Sequence, residues 1–337
     1  MTNDQLPPFI RHLLAPAAYP HAVTEVNLVQ THISYVLLAG DYVYKFKKPV
    51  DFGFLDFTTL AKRQHFCEQE LLLNRRLCPT LYLGLVSVND QDGQLALNGP
   101  GRVVEYGVKM RRMPAARMMG NIIKTGQLTE GMLDDIVKTL IPFYAKAENG
   151  PAIQQFGTAK AVSVNVLENF QQTERFVGGD ALRQAQFERI SHYAGAFLRE
   201  EDRFASRIAA GRIKDCHGDL YSANICLADQ VYIYDCIEFN QRFRYCDVAS
   251  DVAFLAMDLD YHDLEGLARH FIARFTAASA DEGLLTVLNF YKCYRAYVRG
   301  KIGLFTGHAP EVDAQTRQQS LAQARKYFEL AERYAAA

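Results

Sequence analysis

The stretch His217-Gly218-Asp219-Leu220-Tyr221-Ser222-Ala223-Asn224, followed eleven residues later by Asp235, decides how the rest of the chain is interpreted. It places a carboxylate and a carboxamide five residues apart, with a second carboxylate at the end of an apolar run. One acid can accept the proton of an attacking hydroxyl, while the Asn oxygen and the other acid hold magnesium against the phosphates of ATP. The pattern H-x-D-L-x-x-x-N therefore predicts phosphoryl transfer. Gly218, in place of the Arg of most protein kinases, favours a small molecule as the acceptor.

Composition and charge limit the class of protein to which the chain can belong. The 337 residues are 49% hydrophobic and 22% charged, which is typical of a globular chain of about two domains. A net charge of −1 provides no electrostatic reason to expect a nucleic acid or membrane partner. No apolar run reaches the length of a membrane span, and the polar segment 1–8 is unlike a signal peptide, so we expect a cytoplasmic protein. The seven cysteines lack C-x-x-C spacing and indicate neither disulfides nor zinc.

Hydrophobic periodicity predicts an α+β architecture with two lobes. In the N-terminal part, three strands between residues 23 and 48 precede a helix over 58–77 and two further strands over 81–88 and 103–110. The pattern predicts an antiparallel sheet with one helix inserted after its third strand. We expect residues 1–113 to form this nucleotide-binding sheet lobe and 114–127 to form a connector.

Residues 128–337 are predicted to form a mainly helical catalytic and acceptor-binding lobe. The predicted helices span 128–147, 161–170, 181–209, 248–259, 263–278, 284–305 and 314–336. The β-rich interval 213–239 interrupts them and carries the catalytic residues. Runs at 225–227 and 231–234 are predicted to form a β-hairpin that brings Asn224 and Asp235 side by side. This arrangement is the bilobal, protein-kinase-like α+β fold.

Asp219 is the predicted base, since a strand followed by a turn would present its carboxylate to a hydroxyl. A turn Asp that bonds its own backbone is the ordinary alternative, but Asn224 and Asp235 in this order make that alternative weak. Both of these are hard oxygen ligands suited to Mg²⁺. His217 is expected to support the loop structurally. Glu238 is a further candidate, either as a metal or water ligand or as a structural residue.

Lys45 is the predicted phosphate-orienting residue. Val43 shares its strand face, so Val43 can line an adenine pocket while the ammonium reaches the phosphates. Glu70, on the following helix, would supply the ion pair that positions Lys45. Lys47 lies on the same face and competes for this role, and a solvated Lys on an edge strand is the non-functional alternative.

The remaining nucleotide contacts are predicted from position alone. No G-x-G-x-x-G or G-x-x-x-x-G-K-[ST] occurs, which excludes a P-loop mechanism. In a kinase-like fold the hydroxyls of Thr31 and Ser34, with nearby amides, would donate to the phosphates. Adenine would hydrogen-bond to the backbone around Met110 and Arg112, where the sheet ends and the connector begins.

Together these residues resemble the aminoglycoside phosphotransferase and choline kinase family. The resemblance rests on Tyr42-Val43-Tyr44-Lys45, Glu70, the 217–224 pattern, Tyr234-Asp235 and Asp247-Val248-Ala249-Ser250-Asp251-Val252-Ala253. It implies a protein-kinase-like fold, ATP and Mg²⁺ as cofactors, and phosphorylation of a hydroxyl on a small molecule. It also implies that Asp251 buttresses the catalytic loop. The chain departs from the family after Asp235, where Cys236-Ile237-Glu238 replaces the usual Phe- or Trp-containing ending.

Two groups of side chains compete as the acceptor-binding site. A basic group would suit a carboxylate or phosphate; its members are Arg242, Arg244, Lys292, Arg295 and Arg299. An acidic cluster would suit an aminoglycoside or other polyamine; its members are Asp258, Asp260, Asp263 and Glu265. A solvated helix face is the ordinary alternative for both. The acceptor is expected to be of the sugar, sugar acid or amino alcohol type.

Two other functions remain open. A regulatory pseudokinase would bind nucleotide without transferring phosphate, although all the catalytic residue types are present. A protein Ser/Thr kinase of the same fold is disfavoured because the segment between Asp235 and Asp247 leaves little room to bind a peptide. The sequence predicts no oligomeric state.

Overall fold

The computed structural model describes residues 6–310 and 312–336, so the first five residues of the predicted polar start and of the sheet lobe lie outside it. The helices are α1 Pro8–Leu13, α2 Leu60–Asn74, α3 Met119–Lys124, α4 Glu130–Lys146, α5 Pro151–Gln154, α6 Ala159–Thr173, α7 Gln184–Leu198, α8 Glu201–Ala209, α9 Gln241–Arg244, α10 Val248–Tyr261, α11 Glu265–Ser279, α12 Leu288–His308 and α13 Ala314–Ala335. The strands are β1 Val26–Gln30, β2 Ser34–Ala39, β3 Tyr42–Lys47, β4 Tyr82–Gln91, β5 Gln94–Leu97, β6 Arg102–Arg111, β7 Ile213–Asp215, β8 Ile225–Leu227, β9 Val231–Ile233 and β10 Tyr245–Asp247. None of these helices is long and apolar enough to cross a membrane.

The chain divides into two compact units. The first contains the residues up to Met118 together with Cys226–Gln241, and the second contains Met119–Ile225 together with the residues from Arg242 onwards. The first unit therefore includes most of the hairpin that the sequence assigned to the helical lobe. The reason is apolar packing, because Cys226 and Tyr232 are buried in the same cluster as Cys67 of α2.

The sheet of the first unit is antiparallel and positions Lys45. Its strand order is β1-β2-β3-β6-β4-β5, and α2 follows β3 as predicted. β3 lies between β2 and β6 and is covered on both faces. Tyr44 and Phe46 pack into one apolar cluster with α1, whereas Val43 packs into the cluster that contains α2. Because side chains alternate along a strand, Lys45 and Lys47 lie on the face that α2 covers.

Several predicted segments differ from the structure. The turn-rich stretch after β4 contains an unpredicted strand, β5, because Asp92-Gly93 adopts positive φ values of 54° and 86° and closes a tight hairpin. The predicted connector contains α3, and α1 was not predicted. The helix predicted over 181–209 is two helices, α7 and α8, separated at Arg199-Glu200. No Gly or Pro marks that break in the sequence.

The second unit is organised around α10, which is buried along nearly its whole length. A helix that is apolar on most sides belongs in the interior of a helical core. Asp247 begins α10 by accepting a hydrogen bond from the Ala249 amide at 2.9 Å. Arg207 of α8 donates to Asp247 and to Asp281, and all three side chains are buried. This network sets where α10 starts, and thereby where Asp251 lies one turn later.

Candidate functional site

Five side chains of the first unit form a charged group, which we call the lysine–carboxylate cluster. The Lys45 Nζ donates to Glu70 Oε1 at 2.9 Å and to Asp235 Oδ1 at 2.6 Å. The Lys47 Nζ donates to Glu70 Oε2 at 2.8 Å and also to Glu238. The predicted ion pair between Lys45 and Glu70 is therefore present, but Glu70 is shared with Lys47. Lys47 is 1% exposed, so Lys45 is the more accessible of the two ammonium groups.

The electrostatics of the cluster keep its lysines charged. Burial lowers the pKa of Lys45, but Asp235 and Glu70 outweigh it, so the pKa lies well above its usual value. Burial raises the pKa of Glu70, yet the two lysines bring it down to about 2. For Glu238, burial is the stronger effect and leaves the pKa above its usual value despite Lys47. The balance for Lys45 leaves its ammonium group charged at neutral pH.

Backbone contacts hold the segment that carries Asp235. Asp235 has a φ of 64°, and its amide donates to the Tyr82 hydroxyl at 3.2 Å. Left-handed backbone at a residue other than Gly is strained and is found often at functional sites. The next amide, of Cys236, donates to Asn74 Oδ1 at 2.8 Å, and the Asn74 Nδ2 donates to the Glu70 carbonyl. The sequence analysis missed Asn74, although it follows Glu70 by four residues and so shares its helix face.

The second unit positions the catalytic loop through Asp251. The carboxylate of Asp251 accepts hydrogen bonds from the amides of His217 at 2.7 Å and Gly218 at 2.8 Å, and from the Tyr144 hydroxyl at 3.1 Å. The Arg295 Nη1 donates to the Gly218 carbonyl at 2.9 Å. Gly218 has a φ of 87°, which L side chains rarely adopt, so the loop requires glycine where most protein kinases have Arg.

Asp219 and Asn224 contact each other within this loop. The Asn224 Nδ2 donates to the Asp219 carbonyl and to Asp219 Oδ2, both at 2.9 Å. This use of the amide nitrogen leaves the Asn224 oxygen as the atom suited to a cation. His217 is fully buried, and its Nδ1 accepts from the Asp219 amide at 3.2 Å. A structural role for His217 stays a prediction, while Asp219 is partly exposed.

The structure corrects part of the predicted nucleotide contacts. Ser34 is 1% exposed, so its hydroxyl does not face solvent where a phosphate would bind. The Thr31 Oγ1 accepts from the Ser34 amide at 2.9 Å, which closes the turn between β1 and β2. The Arg112 amide donates to the Asp41 carbonyl at 2.8 Å and is not available to adenine. Met110 is buried and packs in the same cluster as Val43, so an adenine-facing role for these two stays a prediction.

Three of the arginines predicted to bind the acceptor are engaged by the protein. Arg244 is buried and donates to Asp215 at 2.7 Å. Arg295 is buried and donates to the Gly218 carbonyl and to Ser250. Arg242 donates to Glu168 at 2.5 Å. The structure therefore favours structural roles for Arg244 and Arg295, contrary to the prediction.

The carboxylates of the rival acidic cluster also have protein partners. Their partners are the Ser222 amide for Asp258, Lys292 and Tyr334 for Asp260, Lys326 for Asp263 and Arg333 for Glu265. Asp258 and Asp260 are buried as well. These four carboxylates are therefore already engaged by the protein, which weakens the case for a polyamine site among them.

The sequence is similar to proteins of two mycobacteria. No protein-family model matches the sequence. The chain is 35% identical over 291 residues to an uncharacterized protein of Mycobacterium tuberculosis, a match that covers 84% of this chain and 56% of that protein. An uncharacterized protein of Mycobacterium bovis matches equally well. The chain thus spans about half the length of the curated relatives it matches.

Among solved structures, a choline/ethanolamine kinase family protein from Mesorhizobium loti superimposes with a TM-score of 0.51 at 13% identity, covering 97% of this chain and 99% of that one. An ethanolamine kinase from Plasmodium vivax is also similar, with a TM-score of 0.46 at 14% identity, over 91% of this chain and 81% of that chain. The first superposition extends over nearly all of both chains. The predicted α+β class is confirmed, and the chain has the protein-kinase-like fold of the choline/ethanolamine kinase family protein, as the sequence resemblance implied.

Proposed function

We propose that this protein is an ATP- and Mg²⁺-dependent phosphotransferase that acts on a hydroxyl of a small molecule. The observation that carries the proposal is the bonding of the Lys45 ammonium to both Glu70 and Asp235. A Lys held by a helix Glu is the arrangement that kinase-like enzymes use to orient phosphates. The three residues are far apart in the sequence, so chance packing is a weak explanation for their meeting.

Asp219 is proposed as the base. Its carboxylate is partly exposed and is oriented by the Asn224 amide, while the loop on which it lies is fixed through Asp251. A carboxylate within hydrogen-bond reach of the acceptor hydroxyl can take the proton as the oxygen attacks the γ-phosphorus. Lys45 would hold the phosphates in the orientation that this attack requires.

Asn224 and Asp235 are the proposed Mg²⁺ ligands. Both offer hard oxygen atoms, and the side chain of Asp235 is 45% exposed, so its carboxylate is accessible. The donor set therefore fits magnesium. When bound, the metal would neutralise charge on the phosphates. Glu238 is not proposed as a ligand, because it is buried and bonded to Lys47.

The segment after Asp235 supports a small acceptor over a protein. Residues between Asp235 and Asp247 include α9 and β10, which take up Gln241–Arg244 and Tyr245–Asp247. Few residues are left to form an extended platform for a peptide. A small hydroxyl compound needs no such platform, and the sugar, sugar acid and amino alcohol classes are the proposed range.

The proposal is tested by following the γ-phosphate. The protein is incubated with γ-labelled ATP, Mg²⁺ and a cell lysate, and the products are separated by size. We expect label in the small-molecule fraction, and none with Asp219→Ala. Label in macromolecules would favour the protein kinase, and an absence of transfer from any lysate together with retained ATP binding would favour the pseudokinase.

A further inference from the structure

Arg299 differs from the two cations that precede it on α12. Lys292 pairs with Asp260, and the Arg295 Nη2 lies 3.8 Å from Asp251 Oδ1. In the described part of the chain, no ion pair joins Arg299 to a carboxylate, and its Nε is buried without a hydrogen-bond partner. A buried guanidinium nitrogen without an acceptor is costly, because desolvation is not repaid by a hydrogen bond.

Arg299 lies against the loop that carries the proposed base. It follows Arg295 by one helical turn, and Arg295 bonds the carbonyl of Gly218. Its guanidinium carbon is 4.8 Å from the centre of the Tyr221 ring, two residues after Asp219. Burial lowers the pKa of Arg299, but Tyr221, Tyr327 and Asp219 outweigh it, and the pKa is above its usual value. A permanent positive charge therefore acts on the space next to Asp219.

The aromatic rings near Arg299 already face cations of the protein. Arg299 lies over Tyr221, Arg295 lies 4.8 Å from the Phe254 ring, and Lys326 lies 4.9 Å from the Tyr261 ring. Aromatic faces are the usual binding surface for ammonium groups, and here they are occupied. Among the described residues of α10 and the start of α11, Asp251, Asp258, Asp260 and Glu265 all have protein partners, so beyond Asp219 itself this side of the loop offers little that would attract an ammonium-bearing acceptor.

We propose that the acceptor carries an anionic group, a carboxylate or a phosphate, that binds to Arg299 while its hydroxyl lies against Asp219. This inference rests on the proposed function and narrows it to hydroxy acids and phosphate esters. Arginine suits planar anions because its planar guanidinium can donate two parallel hydrogen bonds to a carboxylate or phosphate. In the transfer, the acceptor oxygen bonds to the γ-phosphorus, the bond to the β–γ bridging oxygen breaks, ADP leaves, and the hydroxyl proton passes to Asp219.

The test compares matched polyols of three, five and six carbons. Each chain length is offered with a terminal carboxylate, phosphate ester, hydroxymethyl or aminomethyl group, and kcat/KM and the shift in Tm are measured with Mg²⁺ and ATP or its non-hydrolysable analogue. The proteins are wild type, Arg299→Gln, Arg299→Lys and, as a matched control, Arg317→Gln on the exposed face of α13.

We expect that, at one of the three chain lengths, the polyol with the carboxylate or phosphate ester is the preferred acceptor. Its kcat/KM should be at least tenfold higher than that of the hydroxymethyl and aminomethyl compounds of the same length. The preference for the anionic acceptor should be lost in Arg299→Gln, partly retained in Arg299→Lys and unchanged in Arg317→Gln. A neutral or aminomethyl compound as the preferred acceptor, or an anion preference unchanged in Arg299→Gln, would overturn the inference while leaving the kinase proposal intact. Arg299-dependent Tm shifts by the anions without phosphate transfer would instead contradict the kinase proposal, and with it the role of the anion as an acceptor, while supporting an anion-binding site at Arg299. No binding and no transfer with any of the anions would overturn the inference.

Discussion

The lysine–carboxylate cluster of the first unit and the catalytic loop of the second are held by different interactions. In the cluster, charged side chains hold one another, and three of them, Lys47, Glu70 and Glu238, are buried. In the loop, backbone amides are bonded to Asp251, so the reacting side chain of Asp219 contributes little to its own support. A charge can therefore be removed from the loop without loss of the fold, whereas the cluster should lose stability when Lys47, Glu70 or Glu238 is removed.

Asp219→Ala should produce the largest effect and separates chemistry from stability. Loss of the base should reduce turnover by about 10²–10⁴-fold. The free energy of unfolding should change by less than about 1 kcal/mol, because the loop remains bonded to Asp251. Steady-state kinetics and urea unfolding measure the two quantities. A turnover near that of wild type would remove Asp219 from its proposed role.

Lys47→Met should produce the largest loss of stability. Its removal leaves Glu238 buried without its cation, which costs about 3–5 kcal/mol of unfolding free energy at neutral pH. The pKa of Glu238 is raised, so its ionised form destabilises the fold, and the deficit should shrink as the pH is lowered through that raised pKa towards the usual glutamate value. Denaturant unfolding at several pH values measures this dependence.

Lys138→Met is the matched control, since Lys138 and Asp135 form an exposed pair with side chains 72% and 58% accessible. Its effect on the unfolding free energy should be much smaller than that of Lys47→Met at every pH. If both substitutions cost the same, burial would not be the reason that the cluster is stable.

Asp251→Asn should lower both turnover and stability, in contrast to Asp219→Ala. The substitution weakens the hydrogen bonds to the His217 and Gly218 amides, and bonds to a charged acceptor are worth about 1.5–3 kcal/mol each. We expect a loss of about 2–3 kcal/mol in unfolding free energy together with reduced kcat. Asp263→Asn, on an exposed pair with Lys326, serves as the control and should leave both unchanged. Unchanged stability in Asp251→Asn would show that the loop is held by other contacts.

Lys301→Met should have the smallest effect on the free energy of unfolding, and unlike the other substitutions it should stabilise the protein. Burial lowers the pKa of Lys301 to about 8, since its hydrogen-bond partner is the neutral Gln172. Its charge therefore costs stability below that pH, and the cost disappears as the pH rises towards the usual lysine value. We expect a gain of about 1 kcal/mol at neutral pH that vanishes at high pH. A destabilised variant at neutral pH would contradict this account.

Local patterns predicted most of the fold and the identities of the chemical groups. The 217–224 stretch, Asp235 and the Lys45–Glu70 pair follow from motif order and from strand and helix periodicity. The contacts that depend on tertiary packing were not predictable. Nothing local indicates that Lys47 shares Glu70, that Arg295 bonds the Gly218 carbonyl, or that the hairpin after Asn224 packs with the first unit.

The sequence also does not show which long basic side chains are exposed and which are buried. Arg244 and Arg295 have the composition of a ligand-binding group, yet both are buried against Asp215 and the catalytic loop. Arg299, one turn beyond Arg295, differs from it only in what surrounds it. Periodicity places such residues on one face, but it does not show which of them already have partners.

Calorimetric titration of Mg²⁺–ATP into Asp235→Asn tests whether Asp235 binds the metal ion that phosphoryl transfer requires. Asp229→Asn, an exposed acid on the same hairpin, is the matched control. If Asp235 is a metal ligand beside Lys45, its substitution should weaken Mg²⁺-dependent ATP binding at least about tenfold, while the control binds like wild type. Equal affinity of Asp235→Asn and wild type for Mg²⁺–ATP would contradict the assignment of ATP chemistry to this protein.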